Sequence, residues 1–411
     1  MLEVFDQWES DVRGYSRAWP TVFTRASNAR QWDEAGKSYI DFFAGAGVLN
    51  FGHNNPRMKK AIISFMEADG VAHSLDMATT PKRAFIKAFV DTIMKPRNMP
   101  HKLQFMGPTG TNAVEAALKI ARRATGRSNI IAFGGGFHGM TLGSLACTAN
   151  SYFRNAAGVS LNNVTRLNFG HPVKGMTELF TDPSSGIEPV AGIIVEPIQA
   201  EGGVNVAAKE WLLSLQEFAR SIGALLIFDD IQAGCGRTGN FFSFDEMGLD
   251  PDIICLAKGI GGFGTPLAMN LNKPEYDKHW SPGEHTGTFR GQGLSFVAGK
   301  EAISYFEDEV FLKDVSRKGD IMRDRLVTIS EKSLPSADIR GKGMMQAIDT
   351  GDGAFAKAVA EECFRNGLLV GPCGSGGRVV KLIPPLTVPD EDLEEGLNIL
   401  EAAFQTVGEA A

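Results

Sequence analysis

Two apolar runs end in groups that could work on one molecule together. Pro251-Asp252-Ile253-Ile254-Cys255-Leu256-Ala257 leads into Lys258 and then Gly259-Ile260-Gly261-Gly262-Phe263-Gly264. Upstream, Ala224-Leu225-Leu226-Ile227-Phe228 ends in Asp229-Asp230-Ile231-Gln232. Both runs read as short buried strands, so an amine and a carboxylate would emerge at strand ends. An amine so placed can hold an aldehyde as a Schiff base. A carboxylate can keep a pyridine nitrogen protonated, so that the ring accepts electrons. Those are the two demands of pyridoxal phosphate. Taken singly, a lysine after a strand is usually solvated and an acidic pair usually belongs to a turn. The cofactor reading rests on finding both together with a place for the phosphate.

Gly107-Pro108-Thr109-Gly110-Thr111-Asn112 supplies such a place. Apolar residues at 113, 114, 117, 118 and 121 mark one face of a helix. Asn112 followed by Glu115 predicts a capping box with Asn112 as N-cap. Free N–H groups and the positive helix end would then face Gly110 and Thr111, which suits an anion. The loop matches neither the P-loop nor the dinucleotide fingerprint. A third loop, Phe133-Gly134-Gly135-Gly136-Phe137-His138-Gly139, lets backbone approach a ligand closely, and Phe137 could stack on a planar ring or pack in the core.

The elements that must position these groups are legible in outline. Ile130–Phe133, Ala191–Val195 and Ala224–Phe228 read as buried parallel strands, and Glu210–Ser221 as an amphipathic helix. This is an α/β chain. Near the N-terminus, Thr21–Phe23 and Ser38–Asp41 read as strands, with a hairpin turn at Asp33–Lys37. From about Ser304 helices dominate, with one late strand, Arg378–Ile383. The two ends are expected to form a smaller α+β domain from residues 1–50 and 304–411, beside a large domain of residues 51–303.

Composition narrows the function classes. The chain has 411 residues, a net charge of −7 and 43% hydrophobic residues. The acidic balance gives no reason to expect a nucleic-acid partner. No apolar run reaches the roughly 18 residues of a membrane span. Five scattered cysteines form no C-x-x-C pair, and Met1–Arg13 lacks the basic-then-apolar order of a secretory signal. Together these lead to the expectation of a reduced, cytoplasmic protein. The seven histidines show no metal-ligand spacing, so no metal is expected.

Seven blocks in order make the chain resemble the class III (ω-) aminotransferases of the fold-type I pyridoxal phosphate enzymes. They are Tyr39-Ile40-Asp41-Phe42 with Gly52-His53-Asn54-Asn55-Pro56; Thr109-Gly110-Thr111 with Glu115-Ala116-Ala117; Phe137-His138-Gly139; Glu196-Pro197-Ile198-Gln199-Ala200-Glu201-Gly202-Gly203; Asp229 to Gln232 with Gly236-Arg237-Thr238-Gly239; Lys258; and Gly287-Thr288-Phe289. The resemblance covers nearly the whole chain. It implies a mainly parallel seven-stranded sheet in the large domain. It makes Lys258 the cofactor-bearing lysine and proton shuttle and puts Asp229 on the pyridine nitrogen. Ile231 would lie under the ring, Phe137 over it, and Gln232 at the ring hydroxyl. Gly110 and Thr111 would hold the phosphate. His138 would also belong to the cofactor site, with Glu196 supporting it from behind. Glu201 would be a gate that pairs with a cation when no substrate carboxylate is present. Thr288 would reach the phosphate in a neighbouring subunit, implying a homodimer with a shared active site, alone or paired into a tetramer.

Many family members carry an arginine before a Pro-Pro-Leu to grip the α-carboxylate of glutamate. Here Lys381 stands before Pro384-Pro385-Leu386, and lysine lacks the bidentate fork. Arg378 and Arg237 are the other candidate cations. Phe42, Ala44, Ala46 and His73 are candidates for the pocket that selects the terminal amine. Runs such as His73–Thr80, Asp229–Gly239 and Gly283–Gly291 are most similar to members that aminate L-aspartate 4-semialdehyde from L-glutamate, the reaction that opens ectoine synthesis. Other substrates within the family are ornithine, 4-aminobutyrate, lysine and polyamines. A racemase or aminomutase would use the same cofactor site without an amino acceptor.

Overall fold

The computed structural model describes residues 2–410. Its centre is a seven-stranded sheet in the spatial order Lys102–Phe105, Met269–Asn272, Ile253–Leu256, Leu225–Asp229, Val190–Val195, Asn129–Phe133, Val164–Leu167. Met269–Asn272 runs antiparallel to both neighbours, and the remaining neighbours pair in parallel. The central strands are buried on both faces, which is why they read as unbroken apolar runs rather than alternating ones. Alternate residues serve opposite faces. Ile131, Ile193, Leu226 and Ile254 pack with Leu212, Leu215 and Phe218 of the helix Lys209–Ile222. Ile130, Ile194, Ile227 and Ile253 pack with Val114, Ala117 and Ala121 of the helix Gly110–Thr125.

The strands that carry the two reactive groups are hydrogen-bonded neighbours, with Asp229 opposite Cys255. Both run the same way, so Asp229 and Lys258 leave the sheet at the same edge. That edge is where open α/β sheets place their ligands.

A second core joins the two ends of the chain. Ala29, Ile40 and Phe42 pack with Val315, Met322, Leu397 and Phe404. The strand Ser38–Asp41 pairs in parallel with Leu368–Leu369, Ile40 lying opposite Leu368. A four-stranded antiparallel sheet completes this part, in the order Asp338–Lys342, Met345–Asp349, Val379–Leu382, Gly371–Cys373. Two expectations need correction here. The first N-terminal strand is Phe23–Ser27 rather than Thr21–Phe23. Among the described residues the region after Ser304 holds five strands, not one. The missed hairpin Asp338–Lys342/Met345–Asp349 has a half-exposed first strand with charges at Asp338, Arg340 and Lys342, so it shows no apolar run.

Arg237 sits between the two parts. It is fully buried, and its guanidinium donates to the carbonyls of Met344 and Pro384 and to Asn50 Oδ1 at 2.7 Å. Burial lowers its pKa to about 9.

Phe42 belongs to this second core. It is completely buried, and its ring occupies the space a side chain at Gly396 would need, since a Cβ there would lie 2.4 Å from the ring. Gly396→Ala is therefore expected to lower the stability of the protein by about 1–3 kcal/mol through overpacking. Urea denaturation measures this, and an unchanged midpoint would contradict the packing.

Candidate active site

Three loops at the strand ends and one helix start enclose a cavity of about 250 Å3. Gly110, Thr111, Phe137, His138, Glu196, Glu201, Asp229, Ile231, Gln232 and Lys258 all line it. Residues scattered over the sequence from 110 to 258 thus meet in one place.

Lys258 begins a short 3-10 turn, Lys258–Gly261, immediately after its strand. Its φ is +51°, a left-handed conformation that costs a non-glycine residue of order 1 kcal/mol or more. The turn is wedged against Asn50, whose side chain a Cβ at Gly259 would strike at 2.5 Å. Asn50 is in turn fixed by Cys235 O and Arg237. Burial lowers the Lys258 pKa, opposed by the charge of Glu201 and reinforced by that of Lys381. A larger neutral fraction makes the amine a better nucleophile and base.

Asp229 is only 5% exposed, and His138 Nδ1 lies 2.8 Å from its Oδ2. The other Asp229 oxygen accepts the Ile231 amide at 3.3 Å. Glu196 stands behind, accepting the amides of Phe137 at 2.8 Å and Ala200 at 3.3 Å. Burial, with the nearby charge of Asp229, pushes the Glu196 carboxyl up to about 7, although His138 opposes this. Asp230 points away from the cavity. Burial pushes its pKa up to about 8.

The helix that faces the cavity begins earlier than its sequence suggests. Thr109, not Asn112, is the N-cap, its Oγ1 accepting the Asn112 amide at 3.3 Å. Gly110 and Thr111 are therefore the first two helical residues, and their amides have no acceptor within the helix. Glu115 makes no capping box. It accepts from Thr141 Oγ1 at 2.6 Å and the Ser144 amide at 3.0 Å, below a hydroxyl cluster with Thr111. Any Cβ at Gly110 would press on Ile231 at 3.2 Å, so glycine keeps the helix start close to that side chain.

At the mouth of the cavity Lys381 Nζ lies 2.5 Å from Glu201 Oε1 and 3.0 Å from Gln232 Oε1. Gln232 Nε2 donates to Glu201 Oε1 at 3.1 Å and to Ala46 O at 2.8 Å. Ala46 presents that carbonyl because Ala44 to Gly47 all have positive φ, between +47° and +86°. Asp41 Oδ1 caps this left-handed turn by accepting the Phe43 and Ala44 amides. Burial alone would raise the Glu201 carboxyl, but the charges of Lys381 and Lys258 and the hydrogen bonds outweigh it and hold it at about 2. Burial likewise opposes the charge of Lys381, and Glu201 outweighs it, raising that pKa.

Some expected residues lie elsewhere. Phe42 is in the second core with Ile40, because the chain leaves its strand after Asp41 and turns at Phe43, which has a helical backbone and faces outward. Phe43 lines an outer chamber of about 690 Å3 with Tyr15, Trp19, Glu201 and Lys381. His73 is bonded to the carbonyl of Thr288 at 2.6 Å, and Thr288 is exposed outside the cavity. Arg237 is committed to three carbonyl-type acceptors, and Arg378 pairs with Asp349 at 3.0 Å beside a separate cleft. Of the three candidate cations only Lys381 meets the cavity mouth. The chamber aromatics Tyr15 and Trp19 had no sequence signal beyond their aromatic character. Tyr15 stacks on Trp19 with centroids 5.8 Å apart.

The donor set fits pyridoxal phosphate. Free amides at Gly110 and Thr111 suit the phosphate, Phe137 and Ile231 a planar ring, Asp229 a protonated ring nitrogen, and Lys258 an aldehyde. Among the described residues no group of histidine, cysteine and carboxylate side chains has the arrangement of a metal site.

The Aminotransferase class-III family profile matches residues 13–404. A diaminobutyrate–2-oxoglutarate transaminase of Halalkalibacterium halodurans is 50% identical, with 99% of this chain and 97% of that one covered. The enzyme of the same name from Streptomyces anulatus is 48% identical over 97% and 96% of the two chains. Among solved structures, ornithine aminotransferase of Toxoplasma gondii ME49 superposes with a TM-score of 0.88 at 27% identity, over 100% of this chain and 95% of that one. Another structure of the Toxoplasma gondii enzyme, with a TM-score of 0.87 at 27% identity over 100% and 94% of the chains, holds PLP at partial occupancy in its active site.

The Glu201–Lys381 pair has a pH signature. A carboxyl held at about 2 in the folded state, against an ordinary 4.5, contributes stability that is present above pH 4.5 and lost as pH falls towards about 2. Glu201→Gln is expected to make that acid limb shallower when denaturant midpoints are measured across the range. An unchanged slope would contradict the pairing.

Proposed function

The chain belongs to the class-III aminotransferases, which work with pyridoxal phosphate, and on that premise we propose that it moves the amino group of L-glutamate to the aldehyde carbon of L-aspartate 4-semialdehyde. The products are 2-oxoglutarate and L-2,4-diaminobutyrate, formed reversibly in two half-reactions of a ping-pong cycle. This is the reaction in the name of the relatives at 46–50% identity.

When bound, pyridoxal phosphate supplies an aldehyde that condenses with amines and a protonated ring that draws electrons from the reacting carbon. The rest falls to the protein. Lys258 Nζ, its pKa lowered by burial, would hold the aldehyde between turnovers. Once displaced, its amine would take the proton from the amino-bearing carbon of the substrate and give it to the carbon that the cofactor supplies on the other side of the shared nitrogen. Asp229 keeps the ring nitrogen protonated, and His138 fixes its carboxylate in place. Gly110 and Thr111 anchor the phosphate through their amides, and Phe137 and Ile231 hold the ring between them. Gln232 serves the ring hydroxyl, and Glu196 braces the Phe137 loop.

The observation that carries the substrate reading is the Glu201–Lys381 pair at the cavity mouth. In glutamate the reacting carbon bears a carboxylate; in diaminobutyrate it does not. With glutamate, Lys381 exchanges Glu201 for the substrate carboxylate. With diaminobutyrate, the pair stays closed and the terminal amine meets a neutral wall. A lysine here gives a point charge where an arginine would give a fork, so the grip on glutamate is looser and the exchange easier.

Two further elements belong to this reading. A homodimer, alone or paired into a tetramer, would bring Thr288 to the phosphate of a second copy. Exposed Leu75, Met77 and Phe289 nearby support such a contact. A reduced cytoplasmic setting suits the five free, buried cysteines, and ectoine synthesis is the pathway this reaction would feed. Among the described residues no helix is long and apolar enough to cross a membrane.

The test is a half-reaction spectrum. The absorption band of the lysine-bound cofactor should bleach rapidly with L-2,4-diaminobutyrate and with L-glutamate, and slowly with L-ornithine or 4-aminobutyrate. Preference for either of the last two would overturn the substrate. Lys258→Ala should abolish turnover while leaving the fold intact. Asp229→Asn should slow turnover by orders of magnitude, and near-normal rates in either variant would refute the assigned roles.

A further inference from the structure

Glu201 and Lys381 come from different parts of the molecule, and one sheet face organises both. In the antiparallel sheet of residues 338–382, Arg340 lies opposite Ala347, and Ala347 lies opposite Lys381. Residues opposite one another across antiparallel strands point to the same side. Arg340 and Lys381 therefore project from one face, two strand spacings or roughly 10 Å apart, with only a small alanine between them.

Both reach the same object, the short hairpin Ile198–Gln199/Asn205–Val206 whose loop holds Glu201. Lys381 holds the Glu201 side chain. Arg340 donates to Gly203 O at 3.3 Å and to Asn205 Oδ1 at 2.9 Å. Asn205 passes the constraint on, donating to Gln199 Oε1 and Gly202 O, both at 3.1 Å. The Gly374 amide donates to the carbonyl of Glu201 itself at 2.9 Å. Between these polar ties Ile198, Ala200 and Val204 pack on Met345, Ala347 and Val379 of the sheet face. At Gly203 and Gly374 the two backbones touch, since a Cβ on Gly374 would stand 3.3 Å from Gly203 Cα.

Arg340 is itself held from behind. Its remaining donors pair with Asp338 at 2.5 Å and with buried Asp349 at 2.6 Å. Asp349 lies on the strand next to that of Lys381. The guanidinium thus fixes the loop of one gate residue to the sheet that carries the other.

We propose that Arg340 is a positioning residue that holds the Glu201 loop against Lys381 and so sets the balance between the closed gate, used with diaminobutyrate, and the open gate, used with glutamate. The proposal rests on the substrate reading above. Arg340 touches neither cofactor nor substrate and acts only through the loop. Its removal lets Glu201 drift from Lys381, which weakens the closed state and leaves Lys381 free for a carboxylate.

The test compares the two half-reactions in Arg340→Gln by stopped-flow bleaching, with wild type alongside. Wild-type reaction with both substrates checks the substrate reading separately. The expected result is a kcat/KM for diaminobutyrate lowered roughly tenfold, the scale of one charged hydrogen bond, with the glutamate value within about twofold of wild type. Arg340→Lys should restore part of the difference by keeping the charge. Asn205→Ala should reproduce the skew, and the double variant should add little to it. Equal losses in both half-reactions, or an unchanged ratio in both single variants, would overturn the proposal. Should Arg340→Gln fail to fold, Asn205→Ala carries the same decision.

Discussion

The pairing of Leu225–Asp229 with Ile253–Leu256 is the constraint on which the site depends. Two parallel strands in register end together, so a carboxylate and an amine leave a buried sheet at one edge. Everything else at the site adapts to that arrangement. The helix Gly110–Thr125 brings its free amides to the same edge because it packs over the same strands. The Lys258 turn accepts a strained left-handed residue, held by the close contact of Gly259 with Asn50.

Burying so many charges forces them to be sorted. Asp229 has His138 as its partner and faces the cavity. Asp230 beside it has one unpartnered oxygen, and burial raises its pKa. Glu196, though buried, takes two amides and sits near neutrality. The sequence shows three acids of one kind, whereas the fold gives each different surroundings: a histidine for Asp229, the Ser243 amide for Asp230 and two loop amides for Glu196. Lys258 and Lys381 divide in the same way. The first is depressed by burial, and the second is kept charged by Glu201.

The grouping of residues around the central cavity was legible in the sequence because it is made of short, contiguous signals at strand and helix ends. Lys258, Asp229, Gly110, Thr111, Phe137 and Gln232 each stand next to an apolar run or a glycine loop. What failed was local register and half-exposed structure. Thr109 took the cap from Asn112 because Thr109 already has the extended backbone a cap requires and its hydroxyl reaches the Asn112 amide. Phe42 and Phe43 differ by one position, and the turn that begins between the strand end at Asp41 and the helical backbone of Phe43 sends them to different parts of the fold. The hairpin from Asp338 was hidden because its half-exposed first strand carries charges, Arg340 pairing with Asp338 and Asp349, rather than a periodic apolar face. Tyr15 and Trp19 matter only through the space they enclose, which no spacing in the chain reveals.

The composite second core has a consequence for how the protein is made. During synthesis the strand Ser38–Asp41 leaves the ribosome early, yet its neighbour Leu368–Leu369 and the helix Asp390–Ala410 that covers Phe42 come near the end. The central sheet, built wholly from the middle of the chain, can form while the N-terminal hairpin of Arg30–Asp33 and Ser38–Asp41 still lacks its C-terminal neighbours. Ile40 and Phe42, made early, are thus among the last residues to be buried, because the residues that cover them are made late.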